Sequence, residues 1–221
     1  EKYQKALSLD KDLDLFFGEF FKPREENNAP VVGQHLNEKS PHLMPVIQNG
    51  NLNPLLYENA GDHYFRQQNS VMAIRNFEEA AKIKELEFIP SYIKWGISLM
   101  NLDQNELAIE KFEYAMARSN EVPEDIKQMV PQLYEQVGQS AFQHQDWCKS
   151  IKNFEEAAKS GDLKDPTNYL NWSIAYAKLE NFVKASEKAE IALSKKQDYP
   201  EAIMQFAERM KEKAMVQKQN N

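Results

Sequence analysis

Few residues in this 221-residue chain have the types and spacing that chemistry requires. His144 and Cys148 stand four apart, close enough to meet at a helix turn and share a metal ion. No third ligand is near in sequence, and a closed zinc site needs four. His63 follows Asp62, but no nucleophile stands beside it for a base to activate. His35 and His42 lie in a stretch without any partner constellation. The pairs Glu78-Glu79 and Glu155-Glu156 sit on charged helix faces and read as solvated rather than ligating. No glycine-rich loop of the phosphate-cradling kind is present. Asn171-Trp172-Ser173 has the form of a glycosylation acceptor, yet Trp172 and Ser173 are core-type helix positions, which argues against a sugar there. Cys148 is the only cysteine, so there is neither a disulfide framework nor a cysteine-based zinc site. No constellation supports an enzyme within these residues, and no cofactor or metal is implied.

Composition narrows the remaining classes. Charged residues make up 28% and apolar residues 42%, as in a folded protein. Thirty-four acidic residues against 27 basic ones give a net charge of −7 with no basic stripe, which argues against nucleic-acid binding. No apolar run is long enough for membrane insertion. A lone thiol suits the cytoplasm or a bacterial periplasm, so the compartment stays open. The chain begins at Glu1, not at a methionine, and Tyr3-Gln4-Lys5-Ala6-Leu7 resembles the end of a helix. It reads as a piece of a longer array, with its true N-terminus missing.

The elements that must position any functional residue are helices, because Ala, Glu, Lys, Gln and Leu dominate and only seven glycines occur. One fragment returns along them: Ala73-Ile74-Arg75-Asn76-Phe77-Glu78-Glu79-Ala80, Ala108-Ile109-Glu110-Lys111-Phe112-Glu113-Tyr114-Ala115, Ser150-Ile151-Lys152-Asn153-Phe154-Glu155-Glu156-Ala157, and a fainter copy at Ala185–Ala192. The starts are 35, 42 and 35 residues apart, the signature of stacked units. Each copy follows a helix with a small residue at Gly61, Gly96, Gly138 or Ser173, where two helices must approach closely. Phe77, Phe112 and Phe154 are expected to fill the space between units. The 42-residue interval holds seven extra residues, about two helical turns, so an elongated first helix is expected in unit three. Pro131 falls inside it and is expected to kink or divide it.

These units resemble the tetratricopeptide repeat, a helix–turn–helix of about 34 residues. Tyr57, Gly61 and Tyr64 match the family's first helix, and Ala73, Phe77 and Ala80 its second. The turns lack the usual glycine, with Asn69, Asp103-Gln104, Asp146 and Asn181 in its place, and Ala189 replaces the second-helix aromatic of unit four. The resemblance implies an all-α, right-handed solenoid with repeats at 54–88, 89–122, 123–165 and 166–199. A capping helix and tail follow at 200–221. Before the array come the end of an upstream repeat with a short aromatic helix (1–21) and an irregular proline-rich segment (22–53), with one helical turn near Ser40–Val46.

In this family the first helices line a concave groove. The resemblance therefore implies a non-catalytic scaffold or adaptor that binds a protein or peptide segment there. The expected contact residues are Asn59, Lys94, Ile97, Gln136, Gln139 and Asn171. Glu58 and Asp62 stand where co-chaperone members carry the lysine and asparagine that grip a terminal carboxylate, so that ligand is excluded. Phe16, Phe17, Phe20 and Phe21 form a second candidate partner patch. The rival readings are a structural subunit of an oligomer or filament and a regulatory region of a longer enzyme.

Overall fold

Helix starts are written in the sequence as short polar side chains. Asn53, Asn69, Asp146 and Asn181 each accept a backbone N–H within the first turn that follows, at 3.0–3.2 Å. In the computed structural model, which describes residues 47–48, 51–196 and 198–219, these caps open four of the helices. The described helices are α1 (Pro54–Arg66), α2 (Ser70–Ile83), α3 (Ile89–Met100), α4 (Asn105–Arg118), α5 (Glu124–Gln143), α6 (Trp147–Ala158), α7 (Thr167–Lys178), α8 (Phe182–Lys195) and α9 (Glu201–Gln219). They pair as α1/α2, α3/α4, α5/α6 and α7/α8, with α9 against α8. Before them, β1 (Ile47–Gln48) and β2 (Asn51–Leu52) form a two-residue antiparallel ladder, Ile47 opposite Leu52. Two residues per strand are too few for alternation to register in a sequence. The aromatic helix, the turn near Ser40–Val46 and most of the proline-rich segment lie outside the described residues.

The four turns between paired helices are one turn repeated. Gln68, Asp103, Gln145 and Glu180 take φ of 59°, 57°, 60° and 57°, the left-handed region. At each, the following N–H reaches back to a first-helix carbonyl five residues earlier: Asn69 to Tyr64, Gln104 to Leu99, Asp146 to Ala141 and Asn181 to Tyr176. This is the bond pattern that closes many helices on glycine. Here it is held without one.

Packing explains the small residues of the first helices. A Cβ on Gly61 would stand 2.6 Å from Phe77 Cε1, one on Gly96 2.5 Å from Phe112 Cε1, and one on Gly138 2.8 Å from Phe154 Cδ1. Each glycine thus lies directly beneath the phenylalanine of its own repeat, and all three rings are fully buried. Phe77 and Phe154 also meet the next repeat's Trp95 and Trp172, at centroid distances of 6.2 and 6.1 Å. Repeat four changes both partners together: Ser173 stands for the glycine and Ala189 for the phenylalanine, and Ser173 Oγ donates to the Ala185 carbonyl at 2.6 Å.

α5 runs through Pro131 undivided. The proline removes the N–H that would bond the Lys127 carbonyl. One residue on, the Gln132 side-chain amide donates to the Gln128 carbonyl at 2.8 Å.

A longer period overlies the hairpin repeat. Pro54, Leu56, Tyr57 and Glu58 return two hairpins on as Pro131, Leu133, Tyr134 and Glu135. At the same offset, Asn76-Phe77-Glu78-Glu79-Ala80-Ala81-Lys82 returns as Asn153-Phe154-Glu155-Glu156-Ala157-Ala158-Lys159. The interactions return too. Asn76 and Asn153 donate to the carbonyls of Met72 and Lys149, both at 2.7 Å. The hydroxyls of Tyr92 and Tyr169 accept from the N–H groups of Leu86 and Leu163, both at 3.1 Å. Lys111 and Lys188 lie over the rings of Trp95 and Trp172 at 4.4 and 4.0 Å. The four repeats are two copies of a couplet.

Candidate protein-binding groove

The outward stripe of the first helices divides into residues that hold the repeats together and residues left open. Glu58 belongs to the first group. It is 3% exposed, and its carboxylate accepts from the backbone N–H groups of Glu87 and Phe88 at 2.9 and 3.0 Å, just before α3 begins. Glu135 repeats this in the second couplet, accepting from Lys164 and Asp165 at 2.9 Å and from Asn168 Nδ2 at 2.8 Å. In repeats two and four the same position carries Ile93 and Leu170. These buried carboxylates satisfy linker N–H groups that would otherwise lack partners. Their role is structural, and periodicity alone gave no sign of it.

Lys94 also turns inward. It pairs with Asp62 of the preceding repeat, and Asp62 pairs further with Arg66 at 2.7 Å. Burial works upward on the Asp62 carboxyl, but the two cations outweigh it and hold its pKa below the ordinary carboxylate value. Lys94 therefore spends its charge within the array. Asn171 is 3% exposed and donates to Asn168 Oδ1 at 3.0 Å, one of nine consecutive buried residues, Asn168–Tyr176, in α7. A helix buried on all sides presents no stripe. Asn171 is closed off in this structure, and Lys94, half-buried, has its ammonium engaged by Asp62.

The open residues are Asn59 and Gln136, both exposed, and Ile97 and Gln139, both half-buried. Gln136 Oε1 accepts from Asn105 Nδ2 at 3.2 Å, which leaves its own amide hydrogens available. The amides of Asn59 and Gln139 engage no other side chain among the described residues.

Of the residues first weighed for chemistry, His35 and His42 lie outside the described residues, and the others are in ordinary surroundings. His144 Nδ1 lies 2.8 Å from the Ser140 carbonyl, His63 Nε2 lies 3.0 Å from the Gln67 amide, and Cys148 is an exposed free thiol. Glu79 and Glu156 pair with Lys82 and Lys159 at 2.7 and 2.6 Å. Among the described residues no group of three metal-ligating side chains gathers, and no helix is long and apolar enough to cross a membrane.

No protein-family model matches the sequence, and no curated relative does. Solved structures that it resembles include MamA of AMB-1, at 13% identity and TM-score 0.40 over 74% of this chain and 85% of that one. YrrB, described as a TPR protein with an unusual peptide-binding site, is 20% identical with TM-score 0.35 over 71% and 74%. The C-terminal part of a TPR repeat-containing protein of Cytophaga hutchinsonii is 19% identical with TM-score 0.35 over 64% and 52%. The described helices make the same turn four times and bury the same seam. Among the described residues the fold is an all-α solenoid of stacked helix hairpins.

Proposed function

We propose that the chain is a non-catalytic scaffold that holds an extended protein segment along its first helices, within a multiprotein assembly. The observation that carries this reading is the set of open groups at two recurring positions of the first helices: Asn59 in α1 and Gln136 in α5 at one, Ile97 in α3 and Gln139 in α5 at the other. A side-chain amide offers both a donor and an acceptor, which matches the backbone of an extended segment, and Ile97 supplies an apolar contact. A few such side chains carry most of the affinity in an interface. The aromatic run Phe16, Phe17, Phe20 and Phe21 is a second candidate contact surface.

The test avoids Lys94, whose loss would disturb an ion pair between repeats. Wild type and a triple variant, Asn59→Ala, Gln136→Ala and Gln139→Ala, are immobilised and challenged with a lysate of the source cell. The expected result is at least one protein retained by wild type and depleted roughly tenfold on the variant. Equal recovery of every protein on both surfaces would rule the groove out.

A further inference from the structure

The two couplets differ at one place beside the groove. Between the α1–α2 turn and the end of α3 lies a cleft of about 940 Å³, walled by four apolar residues, Phe65, Val71, Ile97 and Leu102, and by six polar ones, Arg66 and Asn101 among them. Val71 is a large apolar residue left 50% exposed there. In the second couplet the wall residues correspond to Phe142, Cys148, Ile174 and Leu179, and Ser70 at the start of α2 corresponds to Trp147 at the start of α6. The Trp147 ring packs edge-on against Phe142, centroids 5.4 Å apart and planes at 68°, and Phe142 is only 7% exposed. In the first couplet Ser70 supplies only a hydroxyl, which accepts from Asn101 Nδ2 at 3.2 Å, and Phe65 keeps more of its surface open. The second couplet carries in its own chain a ring that the first couplet lacks.

We propose that this cleft takes an aromatic side chain, Trp or Phe, presented by a partner segment, with its ring on Phe65 as Trp147 lies on Phe142. The inference rests on the groove reading, since Ile97 belongs to both surfaces. Edge-to-face packing on Phe65 is the favoured geometry for such a ring. The four apolar residues offer the ring its contacts, and the polar ones beside them can meet the backbone that carries it. The segment is then read at two levels: its backbone by Asn59, Gln136 and Gln139, and one side chain by the cleft.

The full chain, isotope-labelled, is titrated by NMR with capped Gly-Trp-Gly, Gly-Phe-Gly and Gly-Asn-Gly. The two aromatic peptides are expected to shift signals of Phe65, Val71, Ile97 and Leu102, and the asparagine peptide to leave them in place. Ser70→Trp, which builds the ring in, and Val71→Asp, which charges one wall without new packing, are each expected to abolish those shifts while circular dichroism stays native. Equal shifts with all three peptides would overturn the proposal, as would unaltered Gly-Trp-Gly binding to a folded Ser70→Trp. If Ser70→Trp keeps the peptide while the triple amide variant loses a captured protein, the aromatic site is wrong and the groove stands. If Ser70→Trp loses the peptide while the triple variant loses nothing, the aromatic site stands without the groove.

Discussion

Gly96 lies so close beneath Phe112 that a methyl group on it would stand 2.5 Å from the ring's Cε1. The ring is fully buried and has nowhere to go. Gly96→Ala gains about 1 kcal/mol of helix propensity but overpacks the seam, at a cost of about 1–3 kcal/mol. Net destabilisation is expected in a urea melt. Phe112→Ala alone should cost about 3–5 kcal/mol. The pair Gly96→Ser with Phe112→Ala copies repeat four, and in a double-mutant cycle it should cost less than the sum of its parts. Strict additivity would show that Ser173 and Ala189 do not compensate each other.

Gln145 holds a left-handed conformation at φ 60° that only glycine adopts without strain. Gln145→Gly is expected to stabilise the chain by roughly 0.5–1 kcal/mol, less than the full strain because glycine gives the unfolded chain more freedom. Differential scanning calorimetry should show a higher Tm. A lower one would mean that the turn gains nothing from relief at this residue.

The Asp62 carboxyl titrates below its ordinary value of 3.8 when folded. Its contribution to stability is therefore fully present above about pH 4 and is lost as pH falls through the folded pKa. Asp62→Asn should lower the urea midpoint at pH 7, and the gap between the two proteins should close as the pH falls through the folded pKa. Lys94→Glu places a second carboxylate against Asp62 and should lower the midpoint at pH 7 by more than Lys94→Gln does.

Glu135 accepts three N–H donors in a buried setting, and Glu58 accepts two. An amide in place of either carboxylate turns an N–H₂ toward an N–H. Glu135→Gln is expected to cost about 1.5–3 kcal/mol, and Glu58→Gln less. Chemical denaturation of the two variants side by side checks the order.

The solenoid was legible because its seam is written in residue size: a glycine beneath a phenylalanine leaves the same mark each time it recurs. The turns were legible as turns, but not in their conformation, since Gln68, Gln145 and Glu180 are not residues that advertise a positive φ. Pro131 pointed to a kinked or divided helix, and α5 continues because only one N–H is missing among many. At the groove, spacing identified which stripe faces outward but not what each side chain meets across the repeat boundary. Lys94 finds Asp62 of the preceding hairpin, and Asn171 is enclosed. Those facts depend on how successive hairpins are set against each other, which no local pattern carries. The couplet was readable in principle, as identity between alternate hairpins, but the fragment that recurs in every hairpin masks it.

Because the Glu58 and Glu135 carboxylates each clasp the linker that follows their own hairpin, each of these hairpins and its linker make one inseparable piece. A one-hairpin splice that falls between hairpin and linker leaves an apolar Ile93 or Leu170 facing donors it cannot satisfy, while one that falls after Phe88 or Asp165 keeps each carboxylate with its own linker. Deleting or inserting a whole couplet returns every carboxylate to a linker of its own kind. A splice of that length is one that a gene, or an engineer, can make at any point along the array without rewriting these joints.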